Sequence, residues 1–224
     1  MLMSFVSRVA RLLVVFVCAA GLASTALAQP VSSPDPRVSL RGNVGASFFQ
    51  SPATEQDLLN SGTDLGVGVD VWVYRGLSVS MQAGYAQFTL NQENARILSG
   101  VGRYRAGDLS LLSGSIGLRY TLRTDSDAHP YVLAGVGLYR GKQSDSRFYG
   151  GEEGLQPAET KTSTQRGFHL ALGANLRLDD TYAVFLEPRL TFVEAKQDGF
   201  LISTQETETP RYFTLRLGLD VRLW

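Results

Sequence analysis

The chain has 224 residues, 44% of them hydrophobic, and its 21 Lys and Arg are matched by 21 Asp and Glu. That length suits one domain, and the even charge argues against a nucleic-acid binder, which would show a basic excess. A single cysteine, Cys18, excludes a disulfide within the chain and a thiolate metal cluster.

Residues 1–28 read as a secretory signal. Arg8 and Arg11 give a positive start, Leu12 to Ala23 an apolar run, and Ala26-Leu27-Ala28 a small-residue cleavage site. The run falls short of the roughly 20 residues a spanning helix needs. Its removal takes away Cys18 and two arginines, so the expected mature chain has 196 residues and a formal charge of −2. Residues 29–36 are expected to form a periplasmic lead-in, and residues 37–224 the folded domain. No later apolar run approaches a membrane helix, which leaves a closed barrel as the way to cross a bilayer.

Period-two alternation recurs through the rest of the chain. The first strand, Val38 to Phe48, sets Val38, Leu40, Val44, Ala46 and Phe48 against Ser39, Arg41, Asn43 and Ser47. Asp64 to Val73 follows, with four valines and Leu65 opposing Gly66, Gly68, Asp70 and Trp72, and then Leu77 to Phe88 after the short Tyr74-Arg75-Gly76 link. The fourth and fifth are Ser110 to Leu122 and Tyr131 to Tyr139; in the fifth, Leu133 and Tyr139 fall on the otherwise polar face. Gly167 to Leu178 and Tyr182 to Val193 come next, the latter carrying Pro188, which removes a ladder donor and predicts a bulge or local irregularity. Phe213 to Trp224 closes the chain, although Trp224 is out of phase with the apolar face set by Leu215, Leu217, Leu219, Val221 and Leu223. These eight strands predict an all-β, eight-stranded antiparallel up-and-down transmembrane β-barrel.

Short links at 74–76, 123–129 and 179–181 alternate with long ones at 49–63, 89–109, 140–166 and 194–211. That alternation fits short periplasmic turns and long extracellular loops, with both termini periplasmic. Phe48, Tyr85, Phe168, Phe192 and Phe213 near the outer ends, and Tyr120, Tyr131, Tyr182 and Trp224 near the inner ends, are expected to form two interfacial girdles.

The leader, the eight strands, the short and long links and the terminal aromatic resemble the small outer-membrane barrels of the OmpA, OmpX and opacity-protein type, over essentially the whole mature chain. The segments His129-Pro130-Tyr131-Val132-Leu133-Ala134-Gly135-Val136-Gly137 and Phe185-Leu186-Glu187-Pro188-Arg189 also resemble wording frequent in that family. The resemblance implies a cell outer-membrane location, insertion by the barrel-assembly machinery, and lipid and lipopolysaccharide as neighbours, with no nucleic-acid partner.

If the apolar faces meet lipid, then Arg41, Asp70, Arg119, His169, Arg177, Glu187, Arg189, Arg216, Asp220 and Arg222 point inward. Glu187 is expected near mid-barrel within reach of Arg189 and Arg216, while Arg41, Asp70, Asp220 and Arg222 gather nearer the periplasmic end. Side chains roughly fill an eight-stranded barrel, so these ten are read as a structural polar core before an ion path. A barrel resembling the lipid A deacylases would need a lipid-facing Ser-His pair. His129 lies in a short turn and His169 faces inward with Ala171 two residues on, so no catalytic residues are assigned. Gly66-Val67-Gly68 and Gly135-Val136-Gly137 open no helix and cradle no nucleotide. Glu152, Glu153 and Glu159 are interleaved with Lys142, Arg147 and Lys161, as in a solvated loop. No cofactor or metal is expected. The leading expectation is a non-enzymatic barrel supporting envelope integrity or loop-mediated surface interaction; a narrow pore or small-solute transporter comes second, a lipid A-modifying enzyme third.

Overall fold

The computed structural model describes residues 38–51, 59–90, 104–105, 108–122, 124–144, 147–149, 155–157, 161–194 and 210–223. The expected leader, the lead-in and Trp224 lie outside them. Eight long strands are present: β1 Val38–Ser51, β2 Leu59–Tyr74, β3 Leu77–Leu90, β4 Asp108–Thr121, β5 Ala128–Ser144, β6 Lys161–Arg177, β7 Tyr182–Val193 and β8 Arg211–Leu223. Each pairs antiparallel with its chain neighbours, and β1 pairs with β8 from Val38↔Leu223 to Ser51↔Arg211, closing a barrel with no free edge. Three short strands stand outside it. Tyr104–Arg105 pairs with Arg147–Tyr149, which pairs with Leu155–Pro157, so backbone bonds join the connection after β3 to the one after β5.

The period-two pattern works because alternate side chains of a strand face opposite ways. On the outer wall the large apolar residues stay uncovered, with Val67 65% and Val136 61% exposed. A wall of this kind is stable only against hydrocarbon. Phe48, Tyr85, Phe168, Tyr120 and Tyr182 are exposed on this wall toward its two ends. Tyr131 is not among them. Expected in a girdle, it is 2% exposed and faces the lumen, because its parity is that of Leu133 and Tyr139, which are buried there too.

The turns explain themselves locally. Between β2 and β3, Gly76 adopts φ +73, and a Cβ there would also approach the Thr121 carbonyl oxygen at 2.5 Å. Between β6 and β7, Asp179 Oδ1 accepts from the amides of Thr181 and Tyr182, each at 2.7 Å, an Asx-type closure. Pro188 interrupts the β6–β7 ladder between Leu186↔Ala174 and Arg189↔Ala171 without shifting its register, so the irregularity is a gap and not a bulge.

Inward glycines admit the large inward rings. A Cβ on Gly173 would lie 2.3 Å from the Tyr131 ring, and one on Gly167 would lie 2.4 Å from the Phe192 carbonyl oxygen and 2.8 Å from the Tyr139 ring. Gly173→Ala is therefore expected to push Tyr131 out of place at a cost of about 1–3 kcal/mol. Urea titration of the refolded protein measures it, and an unchanged midpoint would show that the ring has room to move.

Candidate functional site

The lumen is where sequence and fold bring chemistry together. Among the described residues four arginines are buried in it, Arg41, Arg119, Arg189 and Arg216, and four carboxylates, Asp64, Asp70, Glu187 and Asp220. The equal count matters because a buried charge is tolerated only when paired and hydrogen-bonded.

Glu187 on β7 sits at the centre. Its Oε1 accepts from Arg189 Nε at 3.1 Å and Nη2 at 2.7 Å, and lies 3.8 Å from Arg216 Nη1. Its Oε2 accepts from Arg41 Nη1 at 3.3 Å and from the Tyr131 hydroxyl at 2.8 Å. Toward the long-loop end, Arg216 donates from Nε and Nη2 to the two oxygens of Asp64 at 2.7 and 3.0 Å, and Asn43 donates to Asp64 Oδ1 at 3.1 Å. Toward the short-turn end, Arg119 lies against Asp70 and 3.5 Å from Asp220, while Arg41 Nε is 3.9 Å from Asp70 and 3.7 Å from Asp220. Arg41 is thus the hinge between the two clusters. Its guanidinium also covers the Phe185 ring at 3.8 Å, and that of Arg119 covers Tyr131 at 4.0 Å.

Three of these contacts cross the full width of the barrel. Strands four apart in an eight-membered ring are diametrically opposed. Arg41 on β1 reaches the Tyr131 hydroxyl on β5 at 2.8 Å, Arg189 on β7 reaches Gln82 Oε1 on β3 at 2.6 Å, and Arg119 on β4 reaches Asp220 on β8. The lumen is spanned, not lined.

Above the charges, at the long-loop end, the filling turns apolar. Phe49, Ala86, Phe88, Leu109, Leu111, Tyr139, Val193 and Tyr212 form one buried cluster drawn from six of the eight strands. The Phe49 and Phe88 rings meet edge to face at 4.6 Å, and Tyr212 lies 5.8 and 6.0 Å from them. His169, 1% exposed, sits beneath this plug with Nδ1 3.3 Å from the Tyr139 hydroxyl.

Of the ten residues expected inside, eight are buried in this assembly. Arg177 is instead a third exposed at the short-turn rim, where it pairs with Asp180, and Arg222 is half-buried nearby. Asp64, Tyr131, Gln82 and the apolar plug join the lumen beyond those ten. His129, expected in a short turn, is instead the second residue of β5, opposite Asn175 on β6, with its Nδ1 3.4 Å from Thr124 Oγ1. No group of three or more His, Cys, Asp or Glu among the described residues could hold a metal ion.

The fold has solved counterparts. The crystal structure of neisserial surface protein A aligns with a TM-score of 0.57 at 13% identity, over 83% of this chain and 97% of that one. OprG from Pseudomonas aeruginosa aligns at 0.52 and 12% identity, over 87% and 99%. Ail, the attachment invasion locus protein of Yersinia pestis, aligns at 0.51 and 10% identity, over 85% and 100%. A comparison with curated proteins finds no match. Residues 14–222 match the outer membrane protein beta-barrel domain, and the chain belongs to that family of outer-membrane barrels.

Proposed function

We propose that the chain is a sealed, non-enzymatic outer-membrane barrel, with long loops extracellular and termini periplasmic, which supports envelope integrity or carries a surface interaction on its loops. The observation that carries this reading is the filled lumen: three contacts across the diameter and an apolar plug above them. Function is then left to the loops and the outer wall, since scaffolds of this kind are shared and loops differ. Neisserial surface protein A and Ail, the attachment invasion locus protein, share the fold, which is compatible with that assignment. Its partners are outer-membrane lipid and lipopolysaccharide, the assembly machinery during insertion, and a surface ligand met by the loops.

The inward turn of His169 supports the non-enzymatic part, because a lipid-modifying base would have to face the leaflet. The same filling counts against a narrow pore. Planar-bilayer recording is expected to show no large stable conductance from the refolded protein; steady openings would favour the pore. Deleting residues 150–154 and measuring adhesion to cells tests the loop-borne role, which fails if deletion leaves adhesion intact.

A further inference from the structure

The outer wall is apolar along β5 from Val132 to Leu138, and then carries Arg140 and Lys142, both exposed. On the neighbouring strand, Arg166 is exposed on the same wall. The register is Leu138↔Arg166, Arg140↔Thr164 and Lys142↔Thr162, so the three cations form one contiguous patch. None of them has an ion-pair partner among the described residues. Two acidic groups among the described residues, Glu194 and Asp108, flank the patch. Glu194 lies beside Arg166, to whose carbonyl oxygen its amide donates at 2.8 Å, and Asp108 on β4 accepts from Gln87 at 3.2 Å. A further cation, Arg211, stands opposite Phe192 on β8.

Directly below the patch the wall is indented. A furrow of about 750 Å³ runs over Gly114, where an added Cβ would meet nothing within 4 Å. Its sides are Ile116, Val136, Leu138 and the Phe168–Phe192 pair, stacked at 4.5 Å, and Arg166 and Glu194 stand at its upper end. An apolar channel with Arg166 at its mouth and Arg140 and Lys142 two and four rows beyond, three cations against the single Glu194 there, is complementary to an anionic amphiphile, chain downward and phosphate upward. From the row of Arg166 to the row of Lys142 is four residues along a strand, about 13 Å at roughly 3.3 Å per residue. That is longer than one phosphate and suits a headgroup carrying two.

We propose that this wall is a binding site for a doubly phosphorylated glycolipid of the outer leaflet, with phosphates on Arg140, Lys142 and Arg166 and one acyl chain over Gly114. The assignment rests on the orientation proposed above, which puts the long-loop end outside. The protein extracted from outer membranes in detergent is titrated with purified bisphosphorylated lipid A and the bound lipid measured by native mass spectrometry. The variant R140Q/K142Q/R166Q is expected to bind about tenfold or more weakly, since each cation near an anionic lipid surface counts separately, and added salt should weaken wild-type binding. Gly114→Leu, which fills the furrow from outside, should weaken it with the cations intact. Heat-modifiable gel migration confirms that both variants are folded. Unchanged binding by the triple variant, or equal binding of lipid A stripped of phosphate, would overturn the site; equal binding of phosphatidylglycerol would overturn the choice of glycolipid. The orientation is read separately by labelling Gly151→Cys on intact cells: failure to label there, with lipid A still bound in detergent, would strike the orientation and the outer-leaflet source while the phosphate contacts stood.

Discussion

Glu187→Ala is expected to cost about 3–5 kcal/mol, the usual penalty for removing one partner of a buried ion pair. Both oxygens of Glu187 are occupied, by Arg189 and Arg216 on one side and Arg41 and Tyr131 on the other. Truncation turns four buried arginines against four carboxylates, among the described residues, into four against three. Glu187→Gln keeps the shape and some of the hydrogen bonds, so its loss should be smaller than that of alanine. Denaturant unfolding of the refolded barrel in lipid vesicles gives both values. Equal stability of wild type and Glu187→Ala would remove this network from the forces that hold the fold.

Phe88→Ala should cost a comparable amount, about 3–5 kcal/mol for a buried phenylalanine. Phe88 is fully buried and touches both Phe49 and Tyr212, so its ring joins the β1, β3 and β8 contributions to the plug. The resulting void is expected to leave the barrel non-conducting, because the charge clusters beneath still cross the diameter. A variant that loses stability and also opens a steady conductance would show that the apolar plug alone seals the lumen. Unfolding midpoint and bilayer current, read on the same preparation, separate the two outcomes.

Alternation made the eight strands legible, and parity made most of the lumen legible with them. Strand ends were less readable. β6 begins at Lys161 and not Gly167, and β5 runs on to Ser144, because Lys161 to Arg166 and Gly141 to Ser144 have no apolar face to alternate with. Backbone pairing carries the sheet past the lipid, and periodicity is blind to that. Asp64 is the first residue of its expected strand, where an end position obscures a parity that matches Asp70. For Tyr131 a place near a strand end points to an interfacial girdle, whereas its parity with Leu133 is what sets its side. The apolar plug was hidden for a different reason: Phe49 and Leu109 fell in expected loops, and a polar interior leaves no place for an inward phenylalanine until the strands are known to extend.

The closure of β1 on β8 bears on how the protein is made. Arg41 and Glu187 lie 146 residues apart in the chain, and Arg216 and Asp64 lie 152 apart. Contacts of such sequence separation form late and slowly. Until the first strand meets the last, both carry unpaired backbone groups, and a buried arginine on either side waits for its carboxylate. Arg41 stands directly across this seam from Asp220, so the final zipping of the sheet also neutralises charge. The half-assembled barrel is therefore the aggregation-prone species, and the step that commits the chain to its membrane form is the joining of its two ends.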